Sequence, residues 1–368
     1  MQTQQQPLIP LIRPSMPLLG EYISEISDLW DSRILTNMAR KHQALESALQ
    51  TYLDAQQFQL FVNGHQALEI ALQALGLTGE VITTPFTFAS TTHAIVRRGL
   101  TPVFCDVREE DYTLDPALLE SLITEKTTAI VPVHVYGMAC DVESIQRIAD
   151  KYRLKVIYDA AHAFGVRVNG RGIGSYGDVS MFSFHATKAF HTIEGGGLAY
   201  RDPALGEMLL ALKDFGILRT DEVVYVGGNS KMDEFRAAMG LCNLRAFDAE
   251  VQKRRLAAER YDERLAGVAG IRRLPVQPGV TRTYAYYPIV LDGYRKTREQ
   301  LFAELRANQI ITRRYFYPLC TDYPCYRERF GCASVPVAAR VAAQVLCLPM
   351  FAGLTREEVD RVCDVILG

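Results

Sequence analysis

Between residues 58 and 201, short apolar runs alternate with stretches whose apolar residues recur every three or four positions. The runs lie at 81–84, 102–105, 129–133, 155–158, 179–184 and 197–200. They are apolar without interruption, the pattern of strands covered on both faces. The stretches between them, among them 66–75 and 142–152, carry the helical period. Strand and helix in alternation predict an α/β layer architecture with a mostly parallel sheet.

The pattern changes after residue 244. A long charged helix is predicted over 246–265, then a strand at 284–291, a helix at 297–308 and a strand around 311–315. Helices near 336–345 and 355–367 close the chain. This reads as a smaller α+β domain over 246–368, behind a large α/β domain over 1–245 that includes an N-terminal arm. No internal repeat or low-complexity linker interrupts either part.

A chain of 368 residues fits two such domains without disulfides or a structural metal. Its 40 basic and 42 acidic residues leave a formal charge of −2. Phosphate-dominated binding needs a basic excess, so neither nucleic acid nor an anionic membrane surface is an expected partner. The first ten residues are polar, Gln-rich and proline-bearing, unlike a signal peptide, and no apolar run reaches membrane-spanning length. The eight cysteines form no Cys-x-x-Cys pair. They read as reduced thiols of a cytoplasmic protein, and no metal site is expected.

Candidate chemistry concentrates in two strand ends. Asp159-Ala-Ala-His162 follows the run at 155–158, where open α/β sheets place ligand-binding groups. The run at 179–184 leads into Ser183, His185, Thr187 and Lys188, and a glycine cluster, Glu194-Gly-Gly-Gly197, follows. Most lysines are solvated. Lys188 stands between an apolar strand and a Gly-rich return, where a partly desolvated amine can be neutral and form an imine with an aldehyde. Such chemistry suits pyridoxal 5'-phosphate, whose ring acts as an electron sink when a carboxylate stabilises its protonated nitrogen; Asp159 is the candidate. Asn63-Gly64-His65, at the head of the helix at 66–75, offers N–H groups and a helix dipole to the phosphate, and Ser183 a hydroxyl. Phe88 is placed to cover the ring, with a core position as the open alternative. Gly172-Ile-Gly174-Ser-Tyr-Gly177 matches a dinucleotide fingerprint, but a strand follows it rather than a helix. These glycines therefore read as a turn feeding the Lys188 strand.

The order and spacing of these pieces resemble the DegT/DnrJ/EryC1/StrS sugar aminotransferase family. The resemblance runs from Ile9-Pro-Leu-Ile-Arg13-Pro14 through Asn63-Gly64, residues 84–88, Val133-His134-Val135-Tyr136-Gly137, Asp159 to Ala163, residues 182–188 and Glu194-Gly-Gly, to residues 228–232 and Cys347-Leu-Pro-Met350. It implies the fold type I architecture: a large domain with a mostly parallel seven-stranded sheet between helices, plus a smaller C-terminal α+β domain. It further implies that Lys188 carries the cofactor and shuttles a proton between the donor's Cα and the cofactor's C4′. Asp159 would pair with the pyridine nitrogen and His162 with the phenolic oxygen. Ser183, Gly64 and His65 would hold the phosphate. Asn229 would reach the phosphate of the neighbouring subunit in a homodimer with shared sites.

There are departures. The family commonly has Thr where this chain has His65, Arg where it has Lys231, and His where it has Cys320. Residues 313–319 and 183–188 look like the branch acting on nucleotide-linked 4-keto-6-deoxyhexoses. That branch would make His185, Lys231, Arg313, Tyr315 and Tyr317 substrate contacts, with Arg314 beside them; for 313–317 a strand with ordinary aromatic packing and two surface arginines is the open alternative. The implied reaction moves the amino group of L-glutamate to a nucleotide-linked keto-deoxysugar, with dTDP-4-keto-6-deoxyglucose as first choice, for O-antigen, surface polysaccharide or a glycosylated metabolite. A 3-keto sugar aminotransferase and a non-catalytic sensor on the same fold stay open. Relatives that remove a hydroxyl carry His at the lysine position, which Lys188 argues against.

Overall fold

The computed structural model describes residues 7–330 and 333–368; Cys332 and the Gln-rich first six residues lie outside them. Seven strands form the central sheet: β1 Gln57–Phe61, β2 Glu80–Thr83, β3 Thr101–Phe104, β4 Thr127–Val131, β5 Lys155–Asp159, β6 Val179–Ser183 and β7 Gly196–Tyr200. Their spatial order is β1-β7-β6-β5-β4-β2-β3. Only β7 runs against the rest. β1, which opens the predicted region without its own apolar run, pairs in register with the Gly-rich β7.

Strand alternation sorts side chains between the two helical layers. Ile157 on β5, with Val179 and Met181 on β6, packs against Ala67, Leu68 and Ala71 of the Gly64–Ala74 helix. Val156 and Tyr158 face the other way, into the layer with Val142, Ile145 and Ala149 of the Val142–Tyr152 helix. The two-residue repeat therefore carries Asp159 and Ser183 to the Gly64 side of the sheet. The register Asp159↔Met181 sets these strand ends side by side.

The glycines at 172, 174 and 177 do form a short strand, a 3-10 turn and a loop before β6, with no helix opening from them. A second, antiparallel sheet follows: β8 Ile271–Arg273, β9 Tyr287–Leu291 and β10 Val345–Leu348. It packs with the helices Arg298–Ala307 and Arg356–Leu367 around Leu301, Leu305, Val359 and Val362.

Two expected elements differ. The long helix starts at Glu234, not near 246, and runs to Arg264, with Asp233 Oδ1 capping the Arg236 N–H. Ala237 and Phe247 pack in the large-domain core, and Ala257, Ala258 and Tyr261 in the second core. The 245/246 division thus falls inside one continuous helix. The strand expected around 311–315 is reduced to two isolated bridges, Ile310 with Ile9 and Arg313 with Cys347. The chain there exchanges its partner from the N-terminal arm to β10 within three residues, so no continuous ladder forms. No helix among the described residues is long and apolar enough to cross a membrane.

Candidate active site

A cavity of about 500 Å³ opens at the carboxyl ends of β5 and β6. This is where an open α/β sheet gathers ligand-binding groups. The helix starts at Gly64 and Ala89 wall one side, and Tyr286, Tyr315 and Phe316 of the second domain close another. Ile12 of the N-terminal arm completes the rim.

Asp159 is buried, and each carboxylate oxygen takes one hydrogen bond: Oδ2 from Thr91 Oγ1 at 2.7 Å, Oδ1 from the Ala161 N–H at 3.1 Å. Burial raises its pKa above the ordinary carboxylate value, opposed by those donors and by Lys188. Lys188 is partly buried, and its Nζ donates to Tyr286 Oη at 3.3 Å. Desolvation pulls its amine down to about 8, against the opposing pull of Asp159 and Tyr315. A minority of Lys188, far more than of an ordinary lysine, is therefore neutral and nucleophilic near physiological pH.

His162 lines the same cavity. Its Nδ1 accepts the Tyr136 backbone N–H at 3.1 Å, so in the neutral ring the proton sits on Nε2. Burial, with Lys188 adding to it, holds the ring neutral by pushing its pKa well down. The imidazole stacks on Phe316 with centroids 5.6 Å apart and planes 6° from parallel. The result is a fixed Nε2–H donor.

At the other end, Asn63 Oδ1 accepts the Gln66 N–H at 2.8 Å and caps the Gly64–Ala74 helix. The Gly64 and His65 N–H groups belong to the first turn and have no intrahelical acceptor. A Cβ on Gly64 would lie 3.0 Å from both Ser183 Cβ and Met181 Sδ. The glycine thus lets the helix start close on the Ser183 hydroxyl. Phe88 lines the same cavity with 59% of its surface exposed, so it is a wall aromatic and not a core one.

The cavity gathers Gly64, His65, Phe88, Asp159, His162, Ser183, His185, Lys188 and Tyr315. His185 bonds Thr187 Oγ1 at 2.7 Å and lies 3.3 Å from Glu194 at the mouth. Five expected residues lie elsewhere in this chain. Asn229 is exposed, and Lys231 pairs with Asp214. Arg313 is exposed beside its bridge to Cys347, and Tyr317 stacks under Arg298 at 4.3 Å. Arg314 is taken up by Glu299 at 2.9 Å. Sequence reasoning missed Thr91, Tyr136, Tyr286 and Phe316. Thr91 adjoins the 84–88 motif, and Tyr136 and Phe316 lie within the 133–137 and 313–319 stretches, though no role was read for them; Tyr286 has no local pattern that marks it.

These groups fit pyridoxal phosphate. They supply an amine with a lowered pKa, a buried carboxylate for a ring N–H⁺, a neutral imidazole N–H for an anionic oxygen, and a helix start with a hydroxyl for phosphate. Fold and site together define a pyridoxal-phosphate-dependent aminotransferase. Residues 19–367 match the DegT/DnrJ/EryC1/StrS aminotransferase family, and the chain belongs to it. Relatives named dTDP-4-amino-4,6-dideoxy-D-glucose transaminase are 41% identical in Escherichia coli, over 98% of each chain, and 39% identical in Shigella dysenteriae, over 96% of this chain and 97% of that one. The crystal structure of DesI in the presence of its TDP-sugar product superposes with a TM-score of 0.93 at 33% identity, covering 98% of this chain and 92% of DesI.

Proposed function

We propose that this enzyme moves the amino group of L-glutamate to the keto carbon of a nucleotide-linked keto-deoxysugar. Its acceptor on this reading is dTDP-4-keto-6-deoxyglucose, and its products are 2-oxoglutarate and the 4-amino-4,6-dideoxy sugar nucleotide. The observation that carries the reading is the 41% identity to the E. coli transaminase of that name over 98% of both chains. Because the product keeps its nucleotide, it remains an activated glycosyl donor, suited to O-antigen, surface polysaccharide or a glycosylated metabolite.

When bound, pyridoxal phosphate supplies an electron sink that acidifies the donor's Cα–H and holds the nitrogen between the two half-reactions. Lys188 Nζ takes the proton that leaves Cα, and in the second half it delivers one to the sugar carbon that gains nitrogen. Tyr286 Oη holds that amine when it is free. Asp159 keeps a carboxylate against the pyridine N–H⁺, and Thr91 fixes its rotamer. His162 Nε2–H, its tautomer set by the Tyr136 N–H on Nδ1, would donate to the phenolic oxygen. Gly64 and His65 N–H groups with Ser183 Oγ would hold the phosphate, and Phe88 would cover the ring face; all four residues line the cavity.

His185 and Tyr315 border the acceptor's space. Arg313, Tyr317 and Lys231 would act on the sugar nucleotide outside the enclosed cavity, Lys231 from the partner subunit. The working unit is a homodimer in which Asn229 serves the neighbouring site. Exposed apolar side chains such as Leu19 on the Leu19–Ile26 helix and Val226 support such a contact. The two domains, 1–245 and 246–368, meet over the cavity. A cytoplasmic location is supported by seven unpaired cysteines among the described residues.

The test is incubation of the enzyme with L-glutamate, pyridoxal phosphate and a panel of dTDP-, UDP- and GDP-linked 4-keto and 3-keto sugars, following 2-oxoglutarate. Release with dTDP-4-keto-6-deoxyglucose supports the reading. Preference for a 3-keto sugar overturns the position of amination, and release with none overturns the substrate class.

A further inference from the structure

His65 stands where the family resemblance sets a threonine, and its ring is engaged on both sides. Nδ1 lies 2.9 Å from Ser90 Oγ, and Nε2 lies 3.4 Å from Glu69 Oε1. Glu69 is buried and is held in turn by Arg97 and by Gln66 Nε2 at 3.2 Å. Both His65 and Ser90 line the cavity, His65 in the first turn of the Gly64–Ala74 helix and Ser90 in the first turn of the Ala89–Arg97 helix. Among the described residues lining the cavity, Lys188 is the sole lysine or arginine, and it is committed to the chemistry. From this chain, N–H groups and hydroxyls are therefore the groups left to hold a phosphate.

We propose that Ser90 Oγ is a phosphate-binding hydroxyl of the cofactor site and that His65 is the residue that positions it. The proposal rests on the cofactor reading above. Glu69 Oε1 lies against one ring nitrogen, Nε2. If the other nitrogen donates to Ser90 Oγ, the hydroxyl proton of Ser90 is left to point at a phosphoryl oxygen. The His65–Ser90 pair thus restores, one residue further out, the hydroxyl that threonine would have given directly. Arg97 holds Glu69 in place and does not line the cavity.

The experiment compares pyridoxal phosphate with pyridoxal, which lacks the phosphate, in absorbance titrations of cofactor-stripped enzyme. Ser90→Ala is expected to weaken pyridoxal phosphate about tenfold to a hundredfold, as for one hydrogen bond to a charged group. Pyridoxal affinity should stay unchanged, and Ser90→Thr should restore the loss. His65→Gln should weaken pyridoxal phosphate alone, and the His65→Gln/Ser90→Ala double variant should be no worse than Ser90→Ala. Equal losses for both ligands, or none, overturn the role of Ser90. Additive losses in the double variant overturn His65 as its positioning residue. If the unaltered enzyme bound neither ligand, the cofactor reading itself would fall.

Discussion

Lys188 and Asp159 are both kept from water by the same strand ends, and the physical effect on each is opposite in use. Burial lowers the amine to about 8 and raises the carboxyl. Only the neutral amine adds to an aldehyde. The rate of cofactor uptake by stripped enzyme should therefore rise with pH up to about 8 and flatten above it; a continued climb toward 10.5 would mean an ordinary lysine. The sign for stability follows. Between about 8 and 10.5 the unfolded chain still holds the proton that folded Lys188 has lost, so this group adds stability to stripped enzyme as pH rises through that window. Lys188→Ala should lower turnover by at least about 10²- to 10⁴-fold, the usual worth of a positioned proton-transfer group, while the half-reaction with glutamate shows the same loss in stopped-flow absorbance. These residues were readable in the sequence because Asp159 ends an apolar strand and Lys188 follows one, each in a contiguous motif. Thr91 and Tyr286 join Asp159 and Lys188 across separations of 68 and 98 residues, and only tertiary packing makes those neighbours.

At the scale of elements, a two-residue period and a helix cap build the site. Parity on β5 and β6 sends Asp159 and Ser183 to one face, and Asn63 fixes where the Gly64–Ala74 helix begins. Asn63→Ala should cost about 1 kcal/mol in chemical denaturation, the usual value of an N-cap. It should also weaken pyridoxal phosphate binding, because the freed Gln66 N–H no longer anchors the helix start; Asn63→Asp should recover the stability. The buried parallel strands were legible because they are uninterruptedly apolar. The stretch around 311–315 was not, since a β-rich composition there is met by two different partners and yields bridges instead of a ladder. The start of the long helix was hidden for a related reason: Glu234 to Arg245 packs in the large domain and lacks the exposed, charged face that marks the remainder.

For the whole molecule, the cavity draws on the sheet, the second domain and the N-terminal arm together. Asn229 is exposed and outside it, which suits a residue that serves a partner. The enzyme should sediment at twice its chain mass. Mixing Asn229→Ala with Lys188→Ala chains under limiting cofactor should recover activity that neither has alone, since each hybrid dimer contains one intact site. Absence of recovery, in the presence of hybrids, would show that sites are not shared. The account as a whole depends on one attachment point, and peptide mapping of borohydride-reduced holoenzyme tests it most directly. The prediction is a single pyridoxyl-phosphate mass on the peptide containing Lys188, absent from Lys188→Ala. A label on another lysine, or no label in an enzyme that has bound its cofactor, would contradict it.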